Sequence, residues 1–257
     1  MNIYLHNSLA WDKLAQGNIE WSIPVSPDEI EKARNGDWEV ILTPIKPVPR
    51  EWFGEIREKD ILCLASGGGQ QAVILAAAGA NVTSFDASEK QLERDRIVAE
   101  RDKLSIKLEQ GDAADLSRFP DGSFDLVFNP CSTCFMENLQ PIWNECYRVL
   151  RPGGSLLTGF NQPFIYIFDR QSEENGVLKV CNKLPYSDID ALNDSERAAM
   201  LAKCEPFEFS HSLDGQIGGQ IAAGFLIAGF YEDCWTDEDR LLNKYAPTFI
   251  ATKALKI

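Results

Sequence analysis

Ile61-Leu62-Cys63-Leu64-Ala65-Ser66-Gly67-Gly68-Gly69-Gln70-Gln71, running straight into the alanine-rich stretch from Ala72 to Ala78, reads as strand, tight turn and helix. A short apolar run that ends in three glycines suits a buried parallel strand whose exit lets the backbone pass close to a ligand, since side chains there would block the approach. The first helical amides carry partial positive charge and spare donors, which welcome a carboxylate or phosphate. Gly67, Gly69 and Ala72 also fit the G-x-G-x-x-G/A pattern of dinucleotide binders. At this point a nucleotide-like cofactor and a plain glycine-rich turn in an α/β core are both open, and the downstream spacing has to separate them.

Gly79 stops the helix, and Val82-Thr83-Ser84-Phe85 forms a second strand ending at Asp86, 19 residues beyond Gly67. That separation puts an acid at the tip of the neighbouring strand, where a carboxylate can accept from both hydroxyls of a ribose. An Asp capping a strand-end turn is the plainer explanation. The joint arrival of glycine turn and acid at the expected spacing favours the ribose. Ser88-x-x-Gln91 reads as a capping box that starts a charged helix to about Lys103. Residues 105–110 alternate as a third strand and break into Gly111-Asp112-Ala113-Ala114, and Phe124 to Phe128 is a fourth strand that stops at Asn129-Pro130. Pro141 opens a helix whose Ile142, Cys146, Val149 and Leu150 share one face; Arg151-Pro152-Gly153-Gly154 ends it before a fifth strand, Ser155 to Phe160.

Residues 1–55 are rich in Trp and Pro and lack this alternation, so they read as an N-terminal cap. Residues 7–14 predict a short helix. Ser26-Pro27-Asp28-Glu29 predicts a second, with Ser at N-cap, Pro at N1 and Glu at N3, running to Asn35-Gly36. The chain has 257 residues, 44% hydrophobic and 25% charged, enough for one sizeable core, and one domain is expected. A formal charge of −14 argues against nucleic acid or an anionic membrane as partner, because both require clustered Lys and Arg, and points to a small molecule. No apolar run approaches a membrane span, and His6, Asn7 and Asp12 interrupt any signal-peptide order, so a cytoplasmic protein is expected. Seven scattered cysteines, an odd number, read as reduced thiols. No motif sets an oligomeric state.

With these motifs in register, residues 57–160 resemble the class I S-adenosylmethionine-dependent methyltransferases, particularly the small-molecule group that includes the quinone-type methylases. The resemblance implies an α/β fold: a doubly wound, seven-stranded, mostly parallel sheet, Rossmann-like, with the N-terminal helical cap and an insert after the fifth strand. It divides the single domain into cap (1–55), cofactor-binding core (56–160), lid or insert (161–210) and a last helix with an antiparallel strand pair (211–257). It implies S-adenosylmethionine as cofactor. Ala65, Ser66, Gly67, Gly68 and Gly69 would wrap its methionine end, Asp86 would hold the ribose, and Gln70, Ala87, Ser88 and Gln91 would be further cofactor contacts. Asp112 and Ala113 would meet the adenine, while Asn129, Pro130 and Cys131 would line the floor near the sulfonium. The chain departs from the family at Cys63, where an acid is usual, and at Ala65, where Gly is usual.

Methyl transfer from a sulfonium is an in-line displacement, which positioning alone can promote, with a base needed only for a protonated acceptor. The candidate base is His211, one of two histidines, in a segment that resembles a family stretch before the last helix; a packed or hydrogen-bonded His is the alternative. Trp11 and Trp21 from the cap, Cys134, and Asn161, Phe164 and Tyr166 leaving the fifth strand are the candidate acceptor contacts. Cys131 and Cys134 have the spacing of a chelating or redox pair, but no second Cys/His pair accompanies them, so no metal is expected; a thiol-binding acceptor such as arsenite is a minor variant. The competing class is a nucleotide-binding protein without methyl transfer, either a cofactor sensor or an NAD-dependent oxidoreductase. The oxidoreductase is disfavoured because no Tyr-x-x-x-Lys pair follows the fourth strand.

Overall fold

Asn2 opens the chain by accepting at its side chain from Leu5 N, which starts helix α1 (Ile3–Gln16), longer at both ends than the helix expected over 7–14. The computed structural model describes residues 1–235 and 240–257. Ser26 and Glu29 form the expected reciprocal capping box at α2 (Pro27–Arg34). After α3 (Arg50–Phe53) the alternation begins: β1 (Asp60–Leu64), α4 (Gln71–Ala77), β2 (Asn81–Asp86), α5 (Glu89–Asp102), β3 (Ile106–Gln110), β4 (Phe124–Asn129), α6 (Gln140–Val149) and β5 (Leu150–Asn161). The insert follows as α7 (Arg170–Glu174), β6 (Tyr186–Ser187), α8 (Asp188–Ala191), α9 (Asp194–Lys203) and β7 (Phe209–Ser210), with β6 and β7 paired in a ribbon of their own. A π-turn over Asp214–Gly218 leads into α10 (Gly219–Ala222), and β8 (Phe225–Asp233) and β9 (Phe249–Lys256) finish the chain.

The seven-stranded sheet has the order β3-β2-β1-β4-β5-β9-β8, with β1 to β5 parallel and β8 and β9 forming the expected antiparallel pair, in which β9 alone runs against the other strands. Its centre is apolar on both faces because helices cover both. Along β1, Ile61 and Cys63 join the core beneath α2 and α4, whereas Leu62 and Leu64 join the core beneath α6. Cys63 thus occupies a packing position with no exposure, and burial pushes its thiol well above the ordinary value.

Three local expectations are corrected. Ser88 accepts from Gln91 N at 3.1 Å, but the Gln91 side chain does not return to the cap, so only half of that capping box forms. Arg151-Pro152-Gly153-Gly154 lies within β5 and not before it: Phe124 pairs with Leu150 and Leu126 with Ser155, so the four residues bulge out of register. Phe164 sits in a 3-10 turn over Pro163–Ile167, whose tighter pitch sends Ile165 and Tyr166 toward the site and leaves Phe164 off it.

The cap is tied across the open end of the sheet. Leu42 O accepts from Cys131 N at 3.0 Å and passes so close to β5 that a Cβ on Gly159 would stand 2.1 Å from it. Asp233 Oδ2, at the end of β8, accepts from Thr43 Oγ1, Ile45 N and Lys46 N, anchoring the same loop from the other side. Asn7 of α1 donates to Phe135 O and Phe207 O and accepts from Phe207 N, so one amide joins the cap, the loop after β4 and the end of the insert.

Candidate active site

The carboxyl ends of β1, β2, β4 and β5 open into a cavity of about 1240 Å³, roofed by α1, the loop at 41–44 and the insert. Ligand crevices of α/β sheets lie at this end of the strands. The volume exceeds the ~300–1,000 Å³ of one small-ligand site, so it accommodates two molecules side by side.

The glycine turn is built from buried carboxylates. Ala65 turns the chain at φ +48°, the left-handed region, with its amide donated to Phe85 O at 2.7 Å. Gly67 N donates to Asp86 Oδ2 at 3.0 Å, Gly68 N to Gln91 O at 3.0 Å, and Gly69 N to Asp95 Oδ1 at 2.7 Å. These three amides are spent inside the protein, so the turn does not offer the open anion cradle expected from the sequence. Gly67 lines the cavity; Gly68 and Gly69 do not, because a Cβ there would stand 2.4 Å from Trp21 O and 3.0 Å from Pro24. Their smallness serves the close passage of the cap. What the turn does present is Ser66 Oγ, and beside it Gln91 Oε1: both are buried, both belong to cavity-lining residues, and neither has a hydrogen-bond partner. Gln70 also lines the cavity and donates from Nε2 to Glu20 O and Ile23 O.

Asp86 holds the tip of β2, where the spacing put it. Its Oδ2 accepts from Gly67 N and its Oδ1 from Ser88 N at 2.9 Å, and burial raises its pKa to about 6 against the pull of those bonds, with Asp12 adding to the rise. Ala87 lines the cavity beside it, and its carbonyl accepts from Ser8 Oγ at 2.8 Å. Ser88 does not line the cavity: its Oγ donates to Asp12 Oδ1 at 2.6 Å, which fastens α1 to the start of α5. Farther along, Asp112 and Ala113 line an apolar slot with Phe85, Met136 and Ile142, and Asp112 Oδ1 accepts from Ala114 N.

Pro130 and Cys131 line the floor, but Asn129 lies beneath it, fully buried. Asn129 donates to Leu64 O and Ser132 Oγ and accepts from Thr158 Oγ1, bracing the ends of β1, β4 and β5 together. The acceptor candidates Trp11, Trp21, Cys134, Asn161 and Tyr166 all line the cavity. Trp11 meets Phe135 edge to face at 5.0 Å, and Trp21 meets Trp235 at 6.4 Å. Cys131 Sγ donates to Asn161 Oδ1 at 3.0 Å; the adjacent Cys131 thiol, with burial, pushes the Cys134 thiol well up. Among the described residues, no group of three or more His, Cys, Asp or Glu side chains is placed to hold a metal ion.

His211 is the main correction. It does not line the cavity, and its Nε2 lies 2.8 Å from Met136 O and 3.2 Å from Thr133 O. A ring nitrogen facing two carbonyls must carry the hydrogen, so Nε2 donates, and the lone pair of the neutral ring is left on Nδ1 of a residue outside the cavity lining. Burial lowers its pKa. The residue clamps the turn after β4.

Several contributors went unnoticed in the sequence. Asp95 is fully buried, accepts from Ser84 Oγ at 2.6 Å as well as from Gly69 N, and is raised by burial to about 7. It lies on the buried stripe of α5 with Gln91, Leu92, Val98 and Ala99, and a carboxylate at an apolar-stripe position was the available signal. It supports the turn from α5, whereas Cys63 packs in the core. Tyr4 of α1 and Tyr186, Asp188 and Glu208 of the insert also line the cavity, from segments with no periodic signature.

The profile of a family described as a methyltransferase domain matches residues 62–158. Over 252 residues, 98% of each chain, the sequence is 46% identical to the uncharacterized methyltransferase YbaJ of Bacillus subtilis (strain 168). It is 40% identical over 89 residues to a sterol 24-C-methyltransferase of Gibberella zeae, a match covering 34% of this chain and 23% of that one. Among solved structures, an S-adenosylmethionine dependent methyltransferase from Mesorhizobium loti superposes with a TM-score of 0.61 at 23% identity, covering 80% of this chain and 94% of that one.

Proposed function

The chain belongs to the class I S-adenosylmethionine-dependent methyltransferases, and on that premise we propose that it methylates a small, partly apolar molecule bound between the cap and the insert. The observation that carries this reading is the single cavity of about 1240 Å³, whose cofactor half continues without a wall into an aromatic half beneath Trp11, Trp21, Phe135 and Tyr166. The roof leaves a small acceptor as the natural occupant. The charge of −14 disfavours a polyanion such as nucleic acid. Among the described residues no helix is long and apolar enough to cross a membrane. The seven cysteines, all free, support a reducing compartment, the cytoplasm. We read the whole chain as one domain, with core, cap, insert and C-terminal pair all contributing to the cavity.

The residues present fit the cofactor. Ser66 Oγ and Gln91 Oε1 are buried and unpartnered beside the glycine turn, as expected of groups whose partner is a ligand. When bound, S-adenosylmethionine supplies an electrophilic methyl group on a positively charged sulfur. In this reading the Asp86 carboxylate accepts from the ribose hydroxyls, and the slot of Phe85, Ala113, Met136 and Ile142 encloses the base beside Asp112. Pro130 and Cys131 set the floor at the end of β4, and the bracing by Asn129 fixes that floor relative to the glycine turn. Water is excluded by α1, which Ser8 and Asp12 fasten over β2 and α5, and by the loop that Asp233 anchors. Such a site acts chiefly by orientation, holding the acceptor atom in line with the methyl carbon.

The test follows a labelled methyl group from the cofactor into a cell extract divided into metabolites, proteins and nucleic acids. Label in the metabolite fraction is expected. Label confined to protein or nucleic acid refutes the acceptor class, and calorimetric binding of NAD with none of S-adenosylmethionine or its demethylated product would contradict the cofactor.

A further inference from the structure

A line of hydrogen bonds leaves the floor of the site and enters the insert. Cys131 Sγ, beyond the end of β4, donates to Asn161 Oδ1 at 3.0 Å; Asn161 Nδ2, at the end of β5, donates to Tyr166 Oη at 3.0 Å; and Tyr166 Oη donates to Glu208 Oε2 at 2.8 Å. All four residues line the cavity. Every donor points the same way, toward the carboxylate, so each bond polarises the next. A phenol oxygen has two lone pairs, and Asn161 uses one. The other faces the cavity beside the Cys134 thiol, where a ligand donor can compete for it.

Glu208 is placed with care for an acid inside a protein. Its backbone pairs with Asp188: Glu208 N donates to Asp188 Oδ2 at 2.7 Å, and Asp188 N donates to Glu208 O at 3.1 Å. Tyr186 Oη holds the other Asp188 oxygen at 2.7 Å and stacks on Tyr166 with ring centres 5.5 Å apart. The charged groups around Glu208 are Asp188, which disfavours its ionisation, and Arg170 and Arg240, which favour it at longer range. Both arginines already have partners, Arg170 with Glu174 at 3.6 Å and Arg240 with Glu173 at 3.4 Å. Burial is the largest influence and raises the Glu208 carboxyl above the usual carboxylate range, which favours its taking up a proton. No Lys lines the cavity among the described residues, and carboxylates outnumber arginines along its acceptor half.

We propose that Tyr166 and Glu208 are the proton-accepting pair of the acceptor site, and that the acceptor is accordingly a basic nitrogen that arrives as an ammonium ion. This rests on the methyl-transfer reading above. An ammonium ion has no lone pair to attack with and is repelled by the sulfonium, so it must lose one proton first. That proton passes to Tyr166 Oη as the phenol proton passes to Glu208 Oε2, leaving a neutral amine, an intact phenol and a carboxylic acid. The nitrogen pair then forms the bond to the methyl carbon as the carbon–sulfur bond breaks with its pair on sulfur. The product nitrogen carries the positive charge that sulfur has given up, and Glu208 returns its proton to water. Tyr166 touches the acceptor; Glu208 acts through it, and Asn161 orients it.

The experiment uses the full chain saturated with S-adenosylhomocysteine, with benzylamine and its uncharged counterpart benzyl alcohol as probes. Wild type is expected to bind the amine about tenfold more tightly or better, the scale of one charge-assisted hydrogen bond. Glu208→Gln, which keeps an oxygen for Tyr166 but accepts no proton, should erase that preference. In infrared difference titration, wild type should show a carboxyl protonating above the range of an exposed glutamate, absent from Glu208→Gln and shifted in Tyr166→Phe. Calorimetry on all three proteins should find cofactor affinity unchanged. Equal or preferential binding of the alcohol, absence of amine binding, or no such carboxyl in wild type would overturn the proposal while leaving methyl transfer standing. Failure of wild type to bind S-adenosylmethionine would instead remove the premise.

Discussion

If Asp86 receives the ribose, cofactor affinity must fall in acid, and the structure sets where. In the free protein burial holds the Asp86 carboxyl at a pKa of about 6. The hydroxyls of a bound ribose donate to the ionised form, so binding pulls the pKa down and each binding event below about 6 must first release a proton. Above that value affinity is flat. Below it, affinity drops tenfold for each pH unit, about 1.4 kcal/mol per unit, until the pKa of the complex is reached. Calorimetry in two buffers of different ionisation enthalpy measures both the affinity and the protons released, which should approach one per site about a unit below the midpoint. Asp86→Asn should weaken binding by about 1–3 kcal/mol and abolish the slope. Asp95, raised to about 7, lies nearby but bonds the Gly68–Gly69 backbone and Ser84 and does not line the cavity, so its titration should persist in the Asn variant and appear chiefly in folding. Folding runs the opposite way. Asp86 and Asp95 bind protons more tightly folded than unfolded, so the unliganded protein should lose stability as pH rises from 3.8 through about 6 to 7. Affinity independent of pH, or an unchanged slope in Asp86→Asn, would refute the role of this carboxylate.

Other substitutions test the supports of the site. Asp95→Ala strips Gly69 N and Ser84 Oγ of their acceptor and should cost about 2–4 kcal/mol in chemical denaturation, with cofactor affinity falling as the turn loosens. Gly159→Ala drives a methyl into Leu42 O and should destabilise by about 1–3 kcal/mol, with tryptophan fluorescence reporting displacement of the cap; an unchanged melting curve would show that the loop has room to move. His211→Ala leaves Met136 O without the imidazole donor and Thr133 O with only Met136 N, and should cost about 1–3 kcal/mol while turnover of folded protein changes little, whereas a hundredfold loss of turnover without loss of stability would restore the base assignment. Ala65→Gly relieves a left-handed alanine worth about 1–2 kcal/mol of strain against about 0.4–1 kcal/mol of unfolded-state entropy, so denaturation should show a small gain.

What the sequence made legible is what repeats or what a backbone demands. The strands were readable because a parallel sheet covered on both faces needs unbroken apolar runs, and Ile61 to Leu64 and Leu126 to Phe128 supply them. Asp86 was readable because the helix between β1 and β2 has a nearly fixed length, which makes spacing a measure of place. The same logic failed where a residue's role is set by a partner distant in sequence. His211 is separated by 75 residues from the Met136 carbonyl that fixes its tautomer, and nothing local distinguishes such a histidine from a base. Gly69 matched a dinucleotide-binding pattern, yet its lack of a side chain, like that of Gly68 beside it, answers to the cap, at Pro24 and Trp21 O, 45 and 47 residues earlier. The insert defeats pattern reading most completely: Tyr166 and Glu208 are brought together by a two-residue ribbon and a 3-10 turn, elements too short to have a period. Within a fold whose sheet and cofactor turn are dictated locally, the insert side of the cavity is therefore left to contacts of long sequence separation. That division accords with a family profile that matches residues 62–158 and leaves Glu208 and Tyr186 outside it, and on the proposed reading it directs the search for the acceptor to the insert and not to the motif.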